Sequence, residues 1–257
     1  MIPQFALQLI FGMALTWCLA PRKHITSGFF RIQNLVTLGL SVLSLLTLTQ
    51  LQSFSELSAL HLWMLRGTIL LLAGTSFVGS VLWTLERRIG GTRCAFLILG
   101  VAAVAVVSIV TTHSAANSSE RIHQVGTALS AGWLVGGTTS AMLLGHWYLT
   151  ASGMPLDPLI RMNQWFAVAA AVRSLFAVWS GAVAHWGGLD AVAISWVVLR
   201  WFGLLGPIAI AYLVVQILKY RNTQSATGVL YAATIGVFMG EMAASLLASS
   251  EAFSLWP

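Results

Sequence analysis

Apolar residues run in long, nearly unbroken stretches, and short polar links separate them from one end of the chain to the other. A helix needs about 20 mostly apolar residues to cross a hydrocarbon core. Backbone groups inside lipid must satisfy one another, which selects helices over open strands. The pattern therefore predicts an all-α, polytopic transmembrane helix bundle. Its eight spans fall at roughly 2–20, 32–51, 59–84, 94–111, 125–150, 159–185, 190–219 and 225–249. No link is long enough for a soluble domain, so residues 1–257 read as one transmembrane domain. The first stretch has no Lys or Arg before it and no small-residue cleavage site, and reads as a retained helix.

Composition agrees. The chain is 58% hydrophobic and 8% charged, against roughly 45–50% and about 25% for a soluble domain. So little charge cannot cover a water-facing surface, and the first partner is the lipid bilayer. The net charge of +6 reflects few acids. Its bases cluster between apolar stretches instead of forming a water-facing basic stripe, which excludes nucleic acid as a partner.

The clusters alternate along the chain. Arg22, Lys23 and Arg31 follow span one, Arg87, Arg88 and Arg93 span three, and Lys219 and Arg221 span seven, while span five is followed by Arg161 and Asp157. The other connections hold only Arg121 with Glu56, Glu120, Asp190 and, at the end, Glu251. Lys and Arg favour the cytoplasmic side, which places both termini on the non-cytoplasmic side. Gly90-Gly91 reads as a turn in a basic loop, not a phosphate cradle. Cys18 and Cys94 form no disulfide framework or Cys-x-x-Cys pair. Trp83, Trp147, Tyr148, Trp165, Trp186, Tyr220 and Trp256 fall near span ends, where an aromatic belt sits. Gly132, Gly136 and Ser140 give span five a small-residue row for close helix packing and place it in the middle of the bundle.

Ionisable groups inside a membrane cost about 2.5–3.5 kcal/mol each on insertion scales, so each needs a role. Arg66, Arg173, Arg200 and Glu241 fall at mid-depth or toward the non-cytoplasmic half. In span eight, Thr227, Tyr231, Thr234, Phe238, Glu241, Ser245 and Ser249 recur at helical spacing and predict one polar face. Trp196, Arg200, Gly203 and Pro207 align in span seven, where Pro207 removes a helix N–H. Glu241 paired with one arginine would lock the bundle. If all four groups converge, three cations and one anion leave a surplus that suits an anionic group such as a carboxylate.

Histidines give a second line. His61 and His185 would bracket an outer-side haem b whose propionates meet Arg66 or Arg173, and Gly145 beside His146 would admit a flat ligand. No di-haem pairing of histidines, His-x-x-x-His, Cys-x-x-Cys-His or P-loop is present, and no nucleophile–base arrangement can be named.

Two segments carry a family resemblance. Met142-Leu143-Leu144-Gly145-His146-Trp147-Tyr148-Leu149 and Thr223-Gln224-Ser225-Ala226-Thr227-Gly228-Val229-Leu230-Tyr231, the latter running on to Gly240-Glu241, resemble motifs of an uncharacterised bacterial polytopic membrane-protein family. The resemblance covers about the second half of the chain. It implies a bacterial inner membrane and draws attention to His146, Tyr148, Thr227, Tyr231 and Glu241, without an activity.

Three functions follow as expectations. The first is a subunit of an energy-transducing or redox complex, engaged in electron transport and binding haem, quinone or pigment beside other membrane subunits. The second is a small-anion transporter or channel built on the arginines and Glu241. The third is a non-catalytic scaffold subunit.

Overall fold

The computed structural model describes residues 2–50, 59–111, 117–151, 153–183 and 191–249. Glu56, His185, Trp186, Asp190, Glu251 and Trp256, and the expected span limits at 51, 185 and 190, lie outside the described residues. Among the described residues eight α-helices follow in order: α1 Ile2–Leu19, α2 Ser27–Leu46, α3 Ala59–Thr84, α4 Arg88–Val110, α5 Ser118–Thr150, α6 Asp157–Val183, α7 Ala191–Lys219 and α8 Thr223–Ser249. This is an all-α polytopic bundle with seven to eight helices long and apolar enough to span a membrane, hence an integral membrane protein. Seven are plainly so, while α5 is the longest, at 33 residues, and the least apolar. Between Thr127 and Gly145 no α5 residue is exposed. A helix lined by protein tolerates Gly, Ser and Thr at positions where a lipid-facing helix would be apolar.

Several helices begin earlier than their apolar stretches do. α2 starts at Ser27 instead of 32, because Phe29 and Phe30 are buried, with Phe30 stacked on Trp83 at 4.5 Å between ring centroids. α4 starts at Arg88 instead of 94, so Gly90 and Gly91 are helical and not the expected turn. The chain reverses at Glu86, which takes φ 54. Gly91 is required by packing, since a methyl there would stand 2.5 Å from Cε2 of the Trp83 indole. Trp83 is therefore a core residue, 2% exposed, and not part of a lipid-facing belt.

The chain forms two compact units, residues 1–136 and 137–257, with the boundary inside α5. In the first, α1 and α3 each pack against both α2 and α4. Gly12 of α1 meets Gly132 and Gly136 of α5 backbone to backbone: a methyl on Gly12 would lie 1.8 Å from the Gly132 carbonyl oxygen. α2 turns a polar row, Gln33, Asn34, Thr37, Ser41 and Ser44, into the interior. Its hydroxyls donate back along the helix, Thr37 to the Gln33 carbonyl, Ser41 to Thr37 and Ser44 to Leu40, so burial leaves their donors satisfied. In the second unit, α7 packs against both α6 and α8.

Candidate functional site

The site is built where α7 and α8 cross in the second unit. Gly203 faces Gly236 and Gly240: a methyl on Gly203 would stand 2.6 Å from the Gly240 Cα and 2.7 Å from the Gly236 carbonyl oxygen. Backbones this close need glycine on both sides. Arg200 sits one turn before Gly203 on the same buried face, with Pro207 one turn after it. Glu241 follows Gly240 directly. The crossing thus brings a cation and an anion together by its register alone.

α6 completes the cluster. Arg173 Nε donates to Glu241 Oε1 at 2.9 Å, and Arg173 Nη2 donates to Glu241 Oε2 at 3.0 Å. This is the bidentate fork that suits guanidinium to carboxylate. Arg173 is 2% exposed, Arg200 3% and Glu241 9%. Arg200 lies within electrostatic range of both Arg173 and Glu241. Arg173 Nη1 is buried with no hydrogen-bond partner among the described residues.

All three groups share one depth. Arg173 is ten residues before the end of α6, Arg200 nine after the start of α7, and Glu241 eight before the end of α8. At ~1.5 Å per residue that is about 12–15 Å from one end of the bundle, close to the middle of a ~30 Å hydrocarbon layer. A second polar link fastens α6 to α7: Asn163 Nδ2 donates to the Ala211 carbonyl at 2.8 Å. That bond lies one turn beyond Pro207, which has no N–H to offer the carbonyl of Gly203.

The other sequence candidates are placed elsewhere. Arg66 belongs to the first unit, half-buried on α3, its guanidinium 5.4 Å from the Trp63 ring centroid. Tyr148 donates its hydroxyl to the Pro155 carbonyl and so anchors the loop between α5 and α6. Thr227 is buried against Gly145 and donates to the Thr223 carbonyl at 2.7 Å. Tyr231 and His146 meet edge to face, their rings at 85° and Oη 3.5 Å from Nδ1, and both are exposed. His61 is exposed near the start of α3, and His185 lies outside the described residues.

The expected polar face of α8 divides. Thr227 and Glu241 are buried, whereas Tyr231 and Ser245 are exposed. Thr234 donates to the Leu230 carbonyl and Ser245 to that of Glu241, so these hydroxyls need no inward partner. Two features had no place in the sequence expectation, the Gly236–Gly240 crossing and Asn163. The first was visible only as two glycines four apart in span eight and as Gly203 in span seven. The second was an amide in the second turn of α6, beside Gln164.

Among the described residues no group of three or more His, Cys, Asp or Glu is placed to hold a metal ion. The chemistry available is that of guanidinium and carboxylate: charge pairing, bidentate hydrogen bonding and exchange of one anion for another. No protein-family model, curated protein or solved structure matches this chain.

Proposed function

We propose that the chain is a membrane transporter or channel for a small anion, with Arg173, Arg200 and Glu241 as its site. The observation that carries this reading is Arg173. Its guanidinium spends Nε and Nη2 on Glu241 and keeps Nη1 buried without a partner among the described residues, beside the charge of Arg200. A purely structural lock is complete with one arginine and one carboxylate. Here the described cluster has two guanidiniums around a single carboxylate, at a depth where each charge costs about 2.5–3.5 kcal/mol to insert.

An arriving anion would meet Nη1 of Arg173 and the field of Arg200. Glu241 then has a further use. A site of two bare guanidiniums would hold an anion too tightly to release it, and conduction requires binding strong enough to enter and weak enough to leave. The resident carboxylate competes for the same donors and tempers that affinity. Asn163 and the glycine crossing hold the three helices in register while the exchange occurs.

A redox subunit binding haem b through His61 or His146 has less support. Haem ligation calls for an imidazole turned into a bundle, and His61 and His146 are both exposed.

The test is flux. Purified protein in liposomes should carry labelled chloride or acetate faster than protein-free liposomes of the same lipid. Equal rates for both ions with and without protein would sink the proposal.

A further inference from the structure

Two connections of the first unit meet at one end of the helices. Arg22 Nη1 donates to the carbonyls of Trp17 at 3.0 Å and Cys18 at 2.9 Å, satisfying acceptors that the end of α1 leaves open. Its guanidinium carbon also stands 5.3 Å from the ring centroid of Phe96 on α4. Arg88 Nη1 then donates to the Arg22 carbonyl at 3.1 Å and the Lys23 carbonyl at 3.4 Å. The reversal at Glu86 sets Arg87 and Arg88 at the start of α4. Four cations, Arg22, Lys23, Arg87 and Arg88, are thereby gathered with one neighbouring carboxylate, Glu86. Lys23, Arg87, Arg88 and Glu86 are exposed.

Basic loops alone would only report orientation. Two further features distinguish this patch. Bonds to backbone carbonyls fix the Arg22 and Arg88 side chains and join the two loops that carry Lys23 and Arg87, so the cations are brought to one place before any partner arrives. The patch also adjoins exposed apolar side chains: Ile89 is 75% exposed and Phe96 51%, and their seven-residue spacing sets them on one face of α4, with the exposed Arg93 between them as a further cation. A soluble anion has use for the first feature only. A phospholipid uses both, because its phosphate and acyl chain stand in the same relation as the cations and the apolar side chains. Charge complementarity and position at the helix ends therefore select one occupant.

We propose that this patch binds an anionic phospholipid, with Lys23, Arg87 and Arg88 on the headgroup phosphate and Ile89 and Phe96 along an acyl chain. Juxtamembrane Lys and Arg each contribute about 1 kcal/mol toward anionic headgroups, which is about fivefold in affinity per residue. The test is native mass spectrometry of the full chain, extracted in mild detergent and offered phosphatidylglycerol and phosphatidylcholine in equal amounts. The wild type should retain phosphatidylglycerol preferentially. Lys23→Gln/Arg87→Gln, which leaves the Arg22 and Arg88 bonds in place, should lower that preference about 25-fold. Should the pair fail to fold, Lys23→Gln alone should lower it about fivefold. Arg161→Gln/Arg221→Gln removes two cations of the second unit and should leave the preference unchanged. No preference in the wild type, an unchanged preference in the patch variants, or an equal loss in the control pair would each overturn the assignment.

Discussion

Replacing Glu241 with Gln keeps the size and shape of the side chain and removes its charge, leaving Arg173 and Arg200 buried within electrostatic range of each other. Replacing Arg173 with Gln leaves Glu241 beside Arg200 instead, an oppositely charged pair. The two substitutions break the same bidentate contact, so a simple pair would lose similar amounts from either side. Breaking a buried ion pair from one side costs about 3–5 kcal/mol. Like-charge repulsion adds to that cost in Glu241→Gln, whereas Arg200 offsets part of it in Arg173→Gln. At roughly 2–4 °C per kcal/mol for a chain of this size, Glu241→Gln should lower the thermal midpoint by about 6–20 °C, and Arg173→Gln by distinctly less. The double variant retains one buried guanidinium and should be more stable than Glu241→Gln. The assay is thermal unfolding in detergent, followed by loss of the monodisperse chromatographic peak. Equal losses, or a greater loss in Arg173→Gln, would refute the reasoning that Arg200 completes the cluster.

Other consequences are equally concrete. Added chloride should raise the midpoint of Glu241→Gln more than that of the wild type, because an anion bound only by the folded state stabilises it; an equal effect on both would contradict the site. Gly136→Ala places a methyl 2.2 Å from the Met13 amide nitrogen, whereas one on Gly74 meets nothing within 4 Å. The first should destabilise by about 1–3 kcal/mol, and Gly74→Ala should be neutral or stabilise by up to about 1 kcal/mol, both read as thermal midpoints. Tyr148→Phe removes the bond to the Pro155 carbonyl and should cost about 1 kcal/mol, with anion flux unchanged.

Much of the fold was legible because one physical demand dominates it: a helix crossing lipid must be long and apolar, and seven such stretches stand plainly in the sequence, with α5 longer and less apolar. The helix starts were less legible. Phe29 and Phe30 extend α2 into polar sequence, and the Gly91–Trp83 contact continues α4 through a glycine pair that looks like a turn. Hydropathy reports contact with lipid, whereas these residues are set by contact with protein. The buried charges were legible as an expense without an owner. Their pairing was not, because it depends on the Gly203–Gly240 crossing, which fixes the register of α7 on α8. Arg66 shows the same limit from the other side: it was grouped with them as an intramembrane cation, though expected shallower, and it belongs to the first unit and lies over Trp63.

The proposed anion site is the cluster of Arg173, Arg200 and Glu241. Its most direct measurement is chloride flux through proteoliposomes of the wild type, Arg200→Gln and Arg221→Gln, matched for protein content and monodispersity. A unit charge about 8 Å away at an effective dielectric of about 20 contributes about 2 kcal/mol, so Arg200→Gln, which removes that field, should slow flux about tenfold or more. Arg221→Gln, which removes an exposed cation beyond the end of α7, should match the wild type. Undiminished flux in Arg200→Gln would contradict the account.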